Sequence, residues 1–386
     1  MMRRYHSSLL LWNTFDKVAF TWKRLDRVLQ GKHDRFLDEL FGSLKGYSVF
    51  HPYKYYQDGW GDSSIPTAFC EWLKSKLTEE VVEYRPKEVD ICFGPEIVYE
   101  GVKFQEGTFA TSATEISNLL PRESLQARAL FVSPVEAYQA DRPTVVLLPG
   151  TGEHGYDRRA SSIAFPLAVR AGISSVILES PFYGSRRPPN QPGSKLRTVS
   201  DLAVLGRTTI EETTSILRYL SERRSLKNLA VAGVSMGGLH SAMTASLFQA
   251  PVGVVSWLGP PSAVPVFTEG LLARFCEWNQ LQTQVGKTEC ARKMMKQFLA
   301  LSNLDNFPKP KDPTRGIFVI AENDLYVPKE HSIRSWHALQ KEKWHGAQVA
   351  VIPGGHVSAT LFGAENFRRC IEKVLNVRKD DPLDNS

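Results

Sequence analysis

The distribution of apolar residues along the second half of the chain predicts strands that alternate with helices. Short apolar runs such as TVVLL, LAVAGV and GIFVIA are separated by longer segments in which apolar residues recur at helical spacing. A strand that is apolar on both faces is typical of a parallel sheet covered by helices on both sides. From about residue 97 onward the pattern therefore predicts an α/β fold with a mostly parallel central sheet.

The individual strands follow from the same pattern. The predicted runs are IVYEGVKFQ, LQARALFV, TVVLLPG, SSVILES, LAVAGVS, VGVVSWLG, GIFVIAEN and QVAVIPGG, and one long helix is predicted from about Asp201 to Glu222. The alternation stops between VSWLGPPSAVPVF and GIFVIAEN, where helical stretches occur instead. We interpret residues 260–312 as a short helical cap over a ligand crevice, with a helical pair that completes the core as the alternative.

The first part of the chain has a different pattern. Residues 1–95 are interpreted as an N-terminal extension, and residues 379–386 as a disordered tail. A basic amphipathic helix is predicted near the start, where apolar residues recur at helical spacing among lysines and arginines: Leu9, Trp12, Phe15, Ala19, Trp22 and Leu29. This helix is either a mitochondrial presequence, a membrane-surface helix or a helix docked on the main domain.

Composition narrows the choice of protein class. The 386 residues are 42% hydrophobic, which suits one main domain, over residues 96–378, with extensions. The net charge of +6 is a mild excess, and without zinc-finger spacing or a long basic run it makes nucleic-acid binding a poor prediction. The five cysteines are scattered and lack CxxC spacing, which argues against a disulfide framework or a zinc site. We expect a protein that is soluble or peripherally attached to a membrane.

One short motif carries specific chemistry. The segment LAVAGVSMGGLHSAMTASL places Ser235 between Gly233 and Gly237, after an apolar strand and before a helix. Flanking glycines allow the strand and the helix to approach closely enough for the strained turn that exposes a nucleophilic serine. The pattern Gly-x-Ser-x-Gly also occurs in ordinary glycine-rich loops, but the strand and helix around it favour a nucleophile.

A nucleophilic serine needs a histidine to accept its proton and an acid to orient that histidine. In folds with this turn, the acid and then the histidine follow later strands. Of the nine histidines, His356 directly follows a late apolar strand, in AVIPGGHVSATLF. Asp324, just past the strand GIFVIA, is the preferred acid and Glu322 is the alternative. Helix capping is the competing interpretation of Asp324 and His356.

An oxyanion hole is predicted beside the serine. One amide belongs to Met236, which follows the nucleophile, and the second is expected from Thr151 or Gly152 in the loop LLPGTGEHGYDRR. That loop has neither the Lys-Ser/Thr pair of a P-loop nor a GxGxxG motif, so no metal or organic cofactor is expected.

The same loop supplies candidates for substrate binding. These are His154, Arg158 and Arg159. Adjacent side chains on a helix diverge by about 100°, so at most one arginine is expected to face the crevice. There a guanidinium at a helix start would suit a phosphodiester. Alternatively, either arginine side chain points into solvent or forms an ion pair with a carboxylate.

Six motifs, in chain order, carry a resemblance to a known family: LPGTGEHGYDRR, LESPFYGSRRP, VSDLAVLG, GVSMGG, AENDLYVP and GGHVSATLF. They resemble the alpha/beta-hydrolase domain-containing protein 18 family, from about residue 107 to residue 376. The resemblance implies an α/β-hydrolase fold and a serine hydrolase whose triad is Ser235, Asp324 and His356. It also implies a link to mitochondria and the removal of an acyl chain from the phospholipid cardiolipin.

These observations lead to one main hypothesis and two alternatives. The main hypothesis is a serine carboxylic ester hydrolase that deacylates a phospholipid through an acyl-enzyme and contacts a mitochondrial membrane through its N-terminal helix. A thioesterase or an acyltransferase would use the same triad, because only the acceptor of the acyl group differs. A non-catalytic membrane-surface binding protein is the alternative from a different class. A cytoplasmic location is the alternative to the mitochondrion.

Overall fold

The computed structural model describes residues 34–40, 47–48, 51–78, 81–82, 84–135, 142–287, 290–378 and 383. The predicted amphipathic helix near the N-terminus lies outside the described residues. The predicted C-terminal tail lies outside them as well, apart from residue 383.

Nine strands of the described chain form one sheet. In chain order they are β1 (Cys92–Tyr99), β2 (Val102–Ala110), β3 (Gln126–Pro134), β4 (Thr144–Leu148), β5 (Ser174–Leu178), β6 (Leu229–Val234), β7 (Gly253–Trp257), β8 (Gly316–Ala321) and β9 (Gln348–Ile352). Across the sheet the order is β9-β8-β7-β6-β4-β5-β3-β2-β1. Strands β4 to β9 are parallel to one another, and β1 to β3 add an antiparallel meander beside β5. The mostly parallel sheet is thus present.

Helices cover this sheet. They are α1 (Ile65–Ser75), α2 (Phe165–Ala171), α3 (Val199–Arg218), α4 (Met236–Leu247), α5 (Val264–Thr268), α6 (Trp278–Val285), α7 (Ala291–Leu299), α8 (Lys329–Glu342), α9 (His356–Phe362) and α10 (Ala364–Val374). Residues 34–40 are also helical. Asp157–Arg159 and the π-helical turn Ala160–Ala164 lead into α2, and the π-helical turn Tyr219–Arg223 continues α3. Short 3-10 turns occupy Thr114–Leu119, Arg122–Ser124, Gly184–Arg186, Leu271–Phe275, Ala300–Ser302 and Leu304–Asn306. Two two-residue ladders pair Tyr47–Ser48 with His51–Pro52 and Leu77–Thr78 with Val81–Val82.

Both faces of the central strands are buried, which explains why these strands are apolar throughout. In β4, Val145 and Leu147 pack into one apolar cluster with α2 and α10, and Val146 and Leu148 pack into another on the opposite face. Successive side chains of a strand point to opposite faces, so a strand between two helical layers needs apolar residues at every position.

Two element boundaries differ from the sequence prediction for local reasons. The predicted run IVYEGVKFQ is a hairpin of β1 and β2, because Glu100 (φ 46°) and Gly101 (φ 73°) both adopt positive φ values and turn the chain. Helix α3 begins before Asp201, since the Thr198 hydroxyl accepts a hydrogen bond from the Asp201 amide and the Asp201 carboxylate accepts one from the Thr198 amide.

Residues before the sheet pack into the main core. The first strand begins at Cys92, close to the predicted domain boundary, yet Tyr56 is fully buried and its amide donates to the Leu196 carbonyl. Helix α1 adds Phe69 to the same apolar cluster as α3 and α4. Among the described residues no helix is both long and apolar enough to cross a membrane, and no three His, Cys, Asp or Glu side chains are grouped to hold a metal ion.

Candidate active site

Ser235 lies on a tight turn at the carboxyl end of β6, directly before α4. Its backbone has φ 58° and ψ −121°, a strained conformation for a residue with a side chain. The neighbouring glycines make this turn possible, because a Cβ on Gly233 would lie 2.4 Å from the Gly237 backbone and a Cβ on Gly237 would lie 2.7 Å from the Leu148 carbonyl oxygen. The turn therefore holds the serine at the edge of the sheet where the parallel strands end.

Two backbone segments border Ser235 on the side of β4. Met236 is the first residue of α4, where an amide has no acceptor within the helix. Thr151 follows β4, and the adjacent Gly152 is buried with φ 73° against Ser194. Glu153 fixes this loop, since its carboxylate accepts a hydrogen bond of 3.2 Å from the Gly150 amide. Of the two residues predicted for the second oxyanion amide, Thr151 lies on the wall of the cavities at Ser235.

The loops after β8 and β9 bring Asp324 and His356 into contact. The His356 Nδ1 atom lies 2.7 Å from the Asp324 Oδ2 atom, and the Asp324 side chain is 2% exposed. The other carboxylate oxygen accepts hydrogen bonds of 2.8 Å from the Tyr326 and Val327 amides. With the carboxylate fixed and Nδ1–H directed at it, Nε2 is the ring atom that a serine–histidine–acid triad would use as its base. Glu322, the alternative acid, is 54% exposed and pairs with Lys329 at 3.7 Å.

Asp38, in the helical segment 34–40, joins these two loops. Its fully buried carboxylate accepts hydrogen bonds from the amides of Leu325 (3.1 Å), His356 (3.1 Å) and Val357 (2.7 Å). The last two amides belong to the first turn of α9, where an acidic side chain satisfies otherwise unpaired donors. The Tyr326 ring also stacks on His356 with a centroid distance of 4.8 Å. One carboxylate thus fixes the loop of the acid relative to the helix of the base.

Two cavities meet at Ser235. The larger one, called the polar cavity here because its wall carries Glu153, Arg158 and Lys195 besides Ser235 and His356, has a volume of about 230 Å³. Much of its wall is nevertheless apolar, with side chains such as Val266, Leu272 and Leu361. The Lys195 side chain is buried, with its ammonium 4.1 Å from the centre of the Tyr55 ring. Two cations against one carboxylate make this wall suited to an anionic group.

The second cavity, called the apolar cavity, also has Ser235 in its wall and is smaller, with a volume of about 50 Å³. Its wall comes from α1, α3, α4 and the segment predicted as a cap, and consists mostly of apolar side chains: Phe69, Leu202, Ile210, Met236, Leu239, Met243, Val266, Phe267, Leu299 and Leu301. His240, on α4, is among its polar members. Such a wall is suited to a hydrocarbon chain.

Of the three residues predicted to bind substrate, the structure brings Arg158 to the wall of the polar cavity. Arg159 is instead buried in the scaffold, where its guanidinium donates to the carbonyls of Leu147 and Leu178 at 2.7 and 2.8 Å and to the Glu153 carboxylate at 2.9 Å. His154 is exposed and accepts a hydrogen bond from the Gly184 amide at 2.8 Å. Arg159 and His154 therefore contribute to the shape of the loops.

Several residues at the site carry no signal in the sequence. Lys195 lies in a turn-rich stretch, and Tyr55 and Phe69 come from the segment of mixed character before the sheet. Asp38 lies more than 280 positions from the amides that it binds. An aromatic-rich segment far from any motif, as in YKYYQDGWG, is the one available hint that residues near 55 are buried.

The α/β-hydrolases are defined by a mostly parallel sheet with a serine on a strand–helix turn, followed by an acid and a histidine after later strands. The chain has this arrangement. The profile of the family "Alpha/beta hydrolase domain containing 18" matches residues 53–289 and 284–377. The chain belongs to this family.

Solved structures share the fold. The acetyl xylan esterase from Paenibacillus sp. R4 superimposes with a TM-score of 0.55 at 14% identity, over 83% of this chain and 97% of that one. Acetyl Xylan Esterase 1 from Thermoanaerobacterium sp. JW/SL YS485 gives a TM-score of 0.53 at 14% identity, over 84% of this chain and 97% of that one. At this level of identity the comparison establishes the α/β-hydrolase fold.

Proposed function

We propose that this protein is a serine hydrolase that removes an acyl chain from an anionic phospholipid. The observation that carries the proposal is the position of Ser235, on its strained turn at the junction of an apolar and a polar cavity, with His356 on the polar wall. A phospholipid ester has the same two parts, a hydrocarbon chain on one side of the scissile carbonyl and a phosphate on the other.

The proposed chemistry is acyl transfer to Ser235. The hydroxyl oxygen attacks the ester carbonyl while the Nε2 atom of His356 takes its proton, and Asp324 holds the ring and stabilises the imidazolium. The amides of Met236 and Thr151 stabilise the oxyanion. The imidazolium then protonates the departing alcohol and leaves an acyl-enzyme. A water molecule, deprotonated by His356, attacks the acyl-enzyme and releases the fatty acid and free Ser235.

Each of the two cavities binds a different part of the substrate. The acyl chain occupies the apolar cavity, and the phosphate lies near Arg158 and Lys195 in the polar cavity. Arg158 is held in place by Glu153, with a distance of 2.6 Å between the guanidinium and the carboxylate. A positioned guanidinium fork beside a buried ammonium favours a phosphodiester over a neutral headgroup. Cardiolipin, which carries two phosphodiesters, is the candidate substrate that the family resemblance implies.

A fluorophosphonate probe tests the nucleophile directly. The folded protein is expected to be labelled, and Ser235→Ala is expected to abolish both labelling and the release of fatty acid from phospholipid vesicles. Ser63→Ala, at an exposed serine, is the matched control and keeps both. Absence of labelling in the folded wild-type protein would refute the proposal and favour a non-catalytic protein. Transfer of the acyl group to an added alcohol or thiol instead of water would identify the protein as an acyltransferase.

Membrane attachment of this enzyme in the mitochondrion stays a prediction from residues 1–30. Deleting them is expected to move the protein to the soluble fraction while hydrolysis of a short soluble ester persists. Unchanged sedimentation with membranes after the deletion would contradict an anchoring role.

A further inference from the structure

The wall of the apolar cavity contains a histidine, His240, whose Nδ1 atom has no hydrogen-bond partner among the described residues. His240 lies on α4, five positions after Ser235, on the helix face that also presents Met236, Leu239 and Met243 to the cavity. Five residues of α-helix correspond to a rise of about 7.5 Å, so the ring lies roughly that far along the cavity from the nucleophile.

Burial keeps this ring neutral. The His240 side chain is 5% exposed, and burial lowers its pKa to about 4. At neutral pH the ring therefore offers one N–H donor and one nitrogen acceptor. Within the described residues, its Nδ1 atom has no hydrogen-bond partner. Leaving a buried polar group unpaired costs about 1–3 kcal/mol, so an apolar residue would be the more stable choice unless the ring has a partner during function.

A group inside the cavity can reach the ring, because His240 is part of the cavity wall. Gly206 of α3 also lines the cavity, and a Cβ atom at this position would lie 3.3 Å from the His240 Nε2 atom. Gly206 therefore packs closely against the Nε2 edge of the ring, and a side chain at this position would press on it. The other polar side chain on this part of the wall, Ser302, is already engaged, since its hydroxyl donates to the Leu299 carbonyl at 2.6 Å and accepts from the Ala263 amide at 2.9 Å.

We propose that the apolar cavity is an acyl subsite for chains interrupted by a hydrogen-bonding oxygen, with His240 as the partner of that oxygen. The inference rests on the proposed function, because it assumes that the acyl chain enters this cavity from Ser235. A plain hydrocarbon chain fills the cavity but leaves the ring unpaired. A carbonyl about halfway along the chain can accept a hydrogen bond from the ring N–H, and a hydroxyl there can also donate one to the ring nitrogen. This hydrogen bond lowers the free-energy cost of removing the oxygen from water, compared with a uniformly apolar cavity.

A series of esters that differ only in a mid-chain oxo group tests this subsite. They are p-nitrophenyl octanoate and its analogues with an oxo group at successive mid-chain positions, and the measured quantity is the ratio of their kcat/KM values. In the wild-type protein the best oxo ester is expected to exceed octanoate by about tenfold, which corresponds to about 1.4 kcal/mol. In His240→Leu, which keeps the volume and removes both ring nitrogens, the ratio is expected to fall to one or below.

Two further variants separate recognition from packing. His240→Gln retains a donor and an acceptor and is expected to keep part of the preference. Gly206→Ala narrows the space beside Nε2 and is expected to reduce the preference while His240 is intact. Thermal unfolding of each variant confirms that folded protein is compared.

The possible outcomes are distinct. Equal or lower rates for every oxo ester in a wild-type protein that hydrolyses octanoate would overturn the subsite and assign the ring to contact with water alone. The same ratio in His240→Leu as in the wild-type protein would overturn it as well. Hydrolysis of none of these esters by folded protein would refute the proposed function itself, and the subsite with it.

Discussion

The two cavities that meet at Ser235 are built from different parts of the fold. The apolar cavity is bounded by helices α1, α3 and α4 and by the segment after β7. The polar cavity is bounded by loops at the carboxyl ends of strands, by α9 and by the segment near Tyr55. Helices in a core present apolar side chains inward, and strand-end loops present backbone amides and charged groups. The fold therefore brings a wall of helical apolar side chains and a wall that carries Glu153, Arg158 and Lys195 to the same serine.

This difference separates chemistry from recognition. Changes at the junction should affect every ester equally. Changes in the polar wall should affect charge selectivity and the pH dependence of stability, and changes in the apolar wall should affect acyl selectivity. The predictions below test this separation.

The largest effect is expected at the junction itself. Asp324→Asn should lower kcat on the order of 10³-fold or more, because an amide no longer holds the His356 ring in the tautomer that accepts the serine proton. The loss should be the same for a neutral short ester and an anionic phospholipid. Glu322→Gln, two residues away and exposed, is the control and should change kcat little. A loss restricted to the phospholipid would contradict a shared catalytic role.

The ion pairs of the polar wall should make stability depend on pH. Burial opposes ionisation of Glu153, but Arg158 and Arg159 outweigh it and lower the pKa of this carboxyl from 4.5 to about 2. Because the folded-state pKa is depressed, the stabilisation is complete above about pH 4.5 and is lost as the pH falls toward 2. Glu153→Gln should cost about 3 kcal/mol at pH 7, since it leaves buried guanidinium charge unpaired.

Urea unfolding measured between pH 7 and pH 3 checks this expectation. The free energy of unfolding should fall more steeply with acid in the wild-type protein than in Glu153→Gln. Glu222→Gln, at an exposed carboxyl bound to Arg218, is the control and should leave the slope nearly unchanged. Parallel curves for the wild-type protein and Glu153→Gln would show that Glu153 is not the group responsible.

Asp38 should act through the positions of the acid and the base. Asp38→Asn replaces one acceptor oxygen with a donor that faces amides, so the first turn of α9 and the loop after β8 lose part of their common anchor. We expect kcat to fall about tenfold on every ester with little change in KM. Glu39→Gln, on the exposed side of the same helix, is the control. A change confined to KM would instead place Asp38 in substrate binding.

The smallest effect is expected for a single charge in the polar wall. Lys195→Met keeps an unbranched side chain of similar length and removes the ammonium that lies over the Tyr55 ring. The value of kcat/KM for an anionic phospholipid should therefore fall about fivefold, the effect of about 1 kcal/mol. A neutral ester of the same acyl chain should be hydrolysed at nearly the wild-type rate. Lys309→Met, at an exposed position, controls for net charge. Equal losses on both esters would mean that Lys195 supports the fold.

The parts of the structure that the sequence predicts are those fixed by local chemistry. A doubly buried strand is apolar at every position, and the turn at Ser235 needs glycine at 233 and 237 because a Cβ there would meet backbone. His356 and Asp324 lie close together since both follow neighbouring parallel strands, β9 and β8, at the same edge of the sheet. Each of these features is written in a short stretch of residues.

The parts that the sequence does not predict depend on contacts between distant segments. Arg159 and Arg158 are equivalent in the sequence, and the carbonyls at the ends of β4 and β5 decide which one is buried. The role of Asp38 follows from the docking of residues 34–40 on α9. The sequence predicts only that His240 lies on a helix. Its position on the cavity wall depends on α1, α3 and the segment after β7, which enclose the cavity beside it. No local pattern encodes these contacts.

The most direct test of the division at Ser235 is a crystal structure of the protein inactivated by an octyl fluorophosphonate. We expect phosphorus bonded to the Ser235 Oγ atom, a phosphonyl oxygen about 3 Å from the amides of Met236 and Thr151, and the octyl chain in the apolar cavity toward His240. A covalent bond to another residue, or an octyl chain that lies beside Arg158 and Lys195, would contradict it.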